Sequence, residues 1–472
     1  MIEKALLKGS FHHTEALLTI DTVAQSVLFP DLVDRALIAA FDQSHSSSDG
    51  GAVLLKAADR RLGMIDRLSA CLVDRRTPTR VHHSLRDLLA QRIYGLACGH
   101  ADANDADTLA DDPIHKLLLD RDPIDGHRLA SQPTISRFEN GVSPRRLYRL
   151  GETLADTVIA QHRQRRRRVR RITVDLDLTE DATHGAQQLA LFNGFYGGWC
   201  YLPLVAFLTF DREPRQYLAA ALLRPGTAPA TVGVRGLLQR LLAKLWRTFP
   251  GVTIRVRLDA GFAHPEIFTL LDDAGVEYVV AMPKNAVLDA AATPSLAAAR
   301  VVAAVRGTSA RVFSETTYQA KSWAQARRVV IKAEVVAHPG RALRDNPRFV
   351  VTNLRHAPER LYTQIYAARG DSENRIKELH HALALGRTSC SGFWANQLRV
   401  LLSAAAYVLM QTLQLAADHT GLRHAQATRL RQALLTIGVH VVRSVRRLVL
   451  HLPRSHPEQD AWRQVARHLG AT

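Results

Sequence analysis

Arg171-Ile172-Thr173-Val174-Asp175-Leu176-Asp177-Leu178-Thr179 alternates apolar and polar residues, the period of a strand whose two faces differ. Asp175 and Asp177 therefore share one face. The pattern that follows predicts strands near 200–210, 216–223, 252–258 and 277–282, with helices near 234–247 and 264–274. Sequential strands with short links, followed by βαβ units, describe a mixed α/β sheet.

Two further acidic positions complement that strand. Val252-Thr-Ile-Arg-Val-Arg-Leu258 is a β-branched run that ends in Asp259-Ala-Gly261-Phe262. A carboxylate at a strand tip of an open sheet points into the crevice where ligands bind. In Tyr366-Ala-Ala-Arg369-Gly-Asp-Ser-Glu373-Asn-Arg-Ile-Lys377-Glu-Leu-His380, a continuous helix would set Tyr366, Arg369, Glu373 and His380 along one stripe. Asp177, Asp259 and Glu373 supply the hard oxygen ligands that Mg²⁺ prefers, with Mn²⁺ as a substitute, and Asp175 is the rival for the first position. Two such ions roughly 3.5–4 Å apart support in-line phosphoryl displacement. No Ser-His-Asp order, zinc-spaced cysteine pair or glycine-rich phosphate loop competes with this reading.

These residues resemble the DDE transposases of bacterial insertion sequences, and among them the 1380 group with its Tyr-x2-Arg-x3-Glu-x6-Lys signature. Tyr366, Arg369 and Glu373 match it, and His380 stands where the family has lysine. A histidine there makes a weaker, pH-dependent phosphate contact. Thr183-His184-Gly185, Phe192-Asn193-Gly194-Phe195-Tyr196, Asp259-Ala-Gly261-Phe262-Ala263, Gly386-Arg387-Thr388-Ser389-Cys390 and, earlier, Gly99-His-Ala-Asp102 and Ser131-Gln132-Pro133-Thr134 resemble family blocks, so the similarity spans nearly the whole chain.

The resemblance implies a ribonuclease-H-like catalytic core, interrupted by a β-rich insertion and preceded by a mainly helical DNA-binding region. It implies two Mg²⁺ ions on Asp177, Asp259 and Glu373, with Tyr366, Arg369, Lys377 and His380 on DNA. It also implies binding of terminal inverted repeats, cleavage, strand transfer by a cut-and-paste route, and at least a homodimer on double-stranded transposon-end and target DNA. Two alternatives are a transposase-derived DNA-binding protein that no longer cuts, and a nuclease that cuts without joining.

Composition agrees. The 472 residues carry a formal net charge of +18 and are 47% hydrophobic, which suits packed cores and a polyanionic partner. The four cysteines are scattered, no signal-peptide core opens the chain, and the most apolar tract, 400–415, reads as a buried helix. A cytoplasmic protein outside the membrane is expected.

The reading divides the chain into a helical N-terminal DNA-binding region (1–162), the first part of the core (163–285), the β-rich insertion (286–357), the catalytic helix with the end of the core (358–420) and a basic C-terminal segment (421–472). Asp42 to Gly51 reads as a polar linker. Ser131 is the expected N-cap of a short helix with Pro133 in its first turn. In Arg163 to Arg171 seven of nine residues are arginine. Among them Arg165, Arg166, Arg167 and Arg168 are expected to hold DNA phosphates beside the carboxylates. Trp323, ahead of a second hairpin strand, is a candidate for stacking on an unpaired or flipped base. The C-terminal run around Val441 to Arg447 fits a basic strand or an amphipathic helix.

Overall fold

The structure, a computed structural model, describes residues 27–29 (backbone only), 32–35, 37–166 and 168–472. The central sheet comprises Arg171–Leu178 (β1), Leu204–Phe210 (β2), Tyr217–Leu222 (β3), Thr253–Leu258 (β4), Glu277–Met282 (β5), Ala310–Tyr318 (β6), Arg327–Val336 (β7) and Arg348–Thr352 (β8), with the two-residue strand Arg344–Asp345 paired to β7. Their order across it is β6-β7-β8-β5-β4-β1-β2-β3. β4 runs parallel to both β1 and β5, and the other neighbours are antiparallel. The architecture is mixed α/β, and the strands expected between 172 and 282 form within a few residues of their predicted bounds.

Three features depart from expectation. The alternation in β1 predicts one solvated face, yet Thr173, Asp175 and Asp177 are as buried as the apolar residues between them. The polar alternation marks a network inside the protein. The hairpin β6–β7 does form, but β8 joins it to β5, so these strands extend the central sheet. A 21-residue helix, Ala286–Arg306, precedes them. Its alanine-rich sequence lacks amphipathic contrast and contains Pro294, so periodicity gave no sign of it.

The core centres on Phe393–Ala416, in which every residue except Trp394 is buried. It packs against Leu85–Cys98 and Pro144–Arg165 of the N-terminal region and against β3. One hydrophobic cluster therefore runs from the N-terminal helices into the sheet. Phe393–Ala416 and Ala286–Arg306 both have the length and mean hydropathy of a membrane span; the most apolar stretch of the first is wholly buried in the protein, while most of the second's is not.

Asp42 to Gly51 is no linker. Ser46–Ser47 pairs with Val439–Arg443, and Gly50 and Gly51 lie against the backbone of 434–437 so closely that a Cβ on either would overlap it. The C-terminal run forms strands, Val439–Arg443 and Leu448–His451. Ser131 does begin the helix Gln132–Gly141, with Pro133 in its first turn, but its hydroxyl accepts no backbone N–H.

Candidate active site

Asp177 lies near the end of β1, and Asp259 follows the last residue of β4. Arg257 is paired with Asp175 across these parallel strands, so continuing the register by two residues sets Asp259 opposite Asp177. Both carboxylates stand at the C-terminal edge of adjacent parallel strands, the place where open sheets bind ligands. Asp259 is held by the turn after it: its Oδ1 accepts the Gly261 N–H at 2.9 Å, and the missing Cβ of Gly261 leaves the carboxylate room.

The same network separates the two candidates on β1. Asp175 is fully buried, receives Arg257 through two bonds of 2.6 and 2.7 Å, and accepts a third from Gln216 at 2.9 Å. That bidentate pair engages the Asp175 charge inside the core. Asp177 Oδ1 instead faces Arg369 Nη2 at 2.9 Å, and the same nitrogen lies 3.7 Å from Asp259 Oδ2. Asp177 Oδ2 accepts the Ser372 hydroxyl at 2.9 Å. Burial pushes the Asp177 carboxyl above its ordinary range, and Arg369 and Ser372 only partly offset this. Asp177 and Asp259 thus converge on one cation, the guanidinium of Arg369.

Arg369 reaches that position because its segment is not one regular helix. Pro358–Arg360 is followed by a π-helical stretch, Leu361–Tyr366, then a tight 3₁₀ turn, Ala367–Gly370, and only then the α-helix Asp371–Leu383. Irregular turns of this kind accompany functional sites. The expected single stripe is therefore broken. Tyr366 is half-buried against Tyr362, Arg369 points at the carboxylates, Glu373 is exposed, and His380 turns inward. Among the described residues Asp177, Asp259 and Glu373 do not come together with all ligand atoms within 4.8 Å. Glu373 nonetheless follows Ser372, whose hydroxyl anchors the start of this helix to Asp177.

Several expected DNA contacts lie elsewhere. His380 Nε2 is 2.8 Å from the Thr179 hydroxyl, and burial lowers its pKa, so it is a neutral packing group. Trp323 is 5% exposed and wedged among Phe268, Tyr318 and Arg327, which leaves no face for a base. Arg369 contacts carboxylates, although its buried Nε–H has no acceptor. Lys377 is exposed.

The arginine run enters β1 at Arg171, whereas Asp177 lies six residues further along the strand, about 20 Å at the usual strand rise. It is therefore not beside the carboxylates. Arg165 pairs with Asp418 at 3.7 Å, Arg166 with Glu213, and Arg171 with Glu277 at 3.6 Å. Arg168 is exposed, and Arg167 lies outside the described residues.

Unforeseen was the small sheet between β1 and β2, formed by Asp181–Ala182, Leu191–Asn193 and Gly198–Tyr201. Its turn is organised by Asn193, whose Oδ1 accepts the N–H groups of Phe195 and Tyr196 and whose Nδ2 donates to Gly226 O. Phe195 is 88% exposed, with Phe192 and Trp199 more than half exposed. Phe195 and Tyr196 line the groove that also holds Asp259, Gly261, Tyr362 and Tyr366. Four aromatics within eight residues, 192–199, were the available signal.

The donor set suits a hard divalent cation as far as Asp177 and Asp259 go: two carboxylate oxygens already address a single positive group. A metal there would take the place of the guanidinium.

A family model described as "Transposase DDE domain group 1" matches residues 29–472. Comparison with curated proteins finds no match. Among solved structures, the chain is similar to one described as a cryo-EM structure of the piggyBac transposase synaptic complex with hairpin DNA, at 12% identity and TM-score 0.39, over 81% of this chain and 79% of that one. With nearly its whole length matched by the family model, the chain belongs to the transposase DDE domain group 1 family.

Proposed function

We propose that this transposase binds the terminal inverted repeats of its own element and carries out metal-dependent cleavage and strand transfer by a cut-and-paste route, as a member of the 1380 group with a ribonuclease-H-like core. The observation that carries the reading is the convergence of Asp177 and Asp259, from adjacent parallel strand ends, on one cationic group. Asp177, Asp259 and Glu373 would hold two Mg²⁺ ions, or Mn²⁺ in their place. When bound, these ions supply charge stabilisation for an in-line displacement at a phosphodiester.

The protein's own groups do the rest. Ser372 fixes the orientation of Asp177 and brings the start of the Glu373 helix to the site. Arg369 keeps the two carboxylates together. Once displaced from them, its guanidinium, with an Nε–H that lacks an acceptor, is a fork for a phosphate. Tyr366 lines the groove, where burial raises its hydroxyl pKa and keeps it a neutral donor. Phe195 and Tyr196 offer bases a stacking surface in the same groove.

The division of labour belongs to the same proposal: residues 1–162 contact DNA, a homodimer holds two ends, and the protein works in the cytoplasm. One observation favours the non-cutting alternative. A guanidinium lying against both carboxylates is also what a retired active site would keep.

A single experiment separates the readings. Supercoiled DNA carrying the element's inverted repeats is incubated with the protein and Mg²⁺, and double-strand ends and joined products are followed. Cutting and joining that both disappear in Asp259→Asn, with repeat binding retained, support the transposase. Cutting without joining makes the protein a nuclease, and binding without cutting makes it an inactive derivative.

A further inference from the structure

Three residues from separate segments meet inside the N-terminal region. Asp49 Oδ2 lies 2.8 Å from His100 Nε2 and 2.9 Å from His115 Nε2, and the three atoms are all within 4.8 Å of one another. Asp49 and His115 are buried, whereas His100 keeps 30% of its side chain exposed.

Each residue is fixed by its backbone. Asp49 precedes Gly50 and Gly51, which fit only because neither has a Cβ, and Gly50 N–H donates to Ile437 O at 2.8 Å. His100 follows Gly99, whose φ of +107° ends Leu85–Cys98 in a left-handed turn and directs the chain back on itself. His115 sits in the first turn of Pro113–Leu118, where the Asp112 carboxylate accepts the N–H groups of both Ile114 and His115. The imidazoles are thus presented, not merely adjacent.

We infer that Asp49, His100 and His115 form a first-row transition-metal site, zinc by preference, that staples the segment before the helix Val53–Leu62 to the ends of two others. Two imidazoles and a carboxylate are a borderline donor set that suits zinc better than Mg²⁺. Zinc bound at about 2.0–2.1 Å sets ligand atoms about 3.3 Å apart, so each carboxylate–imidazole distance has to open by about half an ångström. Ligation moves the His115 proton from Nε2 to Nδ1, which is buried without a hydrogen-bond partner, a cost that binding of the ion has to offset. Arg431, packed against Gly99, directs hydrogen bonds to the carbonyls of Leu96, Ala97 and Ala382. The exposed edge of His100 is the way in for the ion. The ion's role is structural and independent of the catalytic reading.

The test is the metal content of the full chain, expressed with zinc available, freed of any affinity tag and dialysed without chelator. Wild type and Asp259→Asn should each hold about one zinc per chain, and His115→Gln less than about a tenth of that. His100→Gln, at a partly exposed position that tolerates change, should lower zinc affinity by at least about tenfold. A chelator should lower the melting temperature of wild type and leave that of His115→Gln unmoved. Wild type that neither carries nor binds zinc, or retention of full zinc by both histidine variants, would make the trio a hydrogen-bonded network only and overturn the inference.

Discussion

The two ends of β1 carry opposite charges and treat them differently. At its start, three of the seven arginines that look like a DNA clamp reach a carboxylate within the protein, Arg165 at Asp418, Arg166 at Glu213 and Arg171 at Glu277. At its end, Asp177 and Asp259 share one guanidinium and leave a second donor of that group without an acceptor. Matched charges hold the fold together, whereas undermatched ones remain available to a ligand. Asp175 makes the contrast within two residues: it is closed by Arg257 and Gln216, while Asp177 shares Arg369 with Asp259.

The largest effects should come from breaking the undermatched end. Asp177→Asn or Asp259→Asn removes a charge that would hold the metal, worth several kcal/mol of transition-state stabilisation and about three orders of magnitude in cleavage rate. Asp259→Asn, at the more exposed of the two carboxylates, should leave the melting temperature unchanged, and cleavage by either variant at more than a tenth of the wild-type rate would refute the assignment. Asp175→Asn should do the reverse. It strands Arg257 as a buried charge, at a cost of about 3–5 kcal/mol, so soluble yield and melting temperature should fall. Normal stability with lost cleavage would instead return Asp175 to the active site.

Next in size is a pH effect beside the site. Burial raises the Asp181 pKa from the ordinary 3.8 to about 7, and its Oδ1 has no partner. A raised carboxyl pKa means that the folded state binds the proton more tightly. The group's contribution is therefore fully present below about pH 4 and is lost as pH rises through about 7. Asp181→Asn should remove that dependence and stabilise the protein above pH 7 by roughly a few kcal/mol relative to wild type. Parallel pH–melting curves for the two proteins would rule this out.

Smaller still is the contribution of the aromatic turn. Phe195→Ala should weaken binding to transposon ends that carry unpaired bases near the cut by about 1–3 kcal/mol, and leave binding to intact duplex nearly unchanged. Trp323→Ala should instead destabilise the fold, because that ring is enclosed by Phe268 and Tyr318. Equal weakening on both DNA forms would exclude base stacking as the role of Phe195.

The strands of the sheet and the two strand-end carboxylates were legible because both depend on local signals, a period of two and a sharp end to a β-branched run. The third acidic position was legible only as a residue. Where its neighbours point depends on a π-helical stretch and a 3₁₀ turn that helical spacing does not encode. His380 and Trp323 were misplaced for a shared reason: polarity and aromaticity say what a side chain can bind, but packing decides whether it faces solvent. The run ahead of β1 was misplaced by adjacency in sequence, since a strand carries its two ends far apart. Asp49 was read as linker because glycine and serine around it mimic flexibility where they permit close backbone contact.

The smallest expected effect lies in that arginine run, and it sharpens the contrast between matched and undermatched charge. Arg168 and Arg170 are exposed. If they meet DNA, replacing both with glutamine should flatten the dependence of log affinity on log salt by at most about 0.9 for each phosphate no longer neutralised. Arg165 and Arg166 are already engaged by Asp418 and Glu213. Their replacement should leave the salt slope alone and cost stability instead, within about 1 kcal/mol for the more exposed Arg165 pair. Discrimination between terminal-repeat and random DNA should be unchanged in every case, because phosphate contacts position a protein and base contacts specify. A slope that responds to Arg165 and Arg166 but not to Arg168 and Arg170 would mean that the internal pairs open on DNA, and the division between the two ends of β1 would then describe only the free protein.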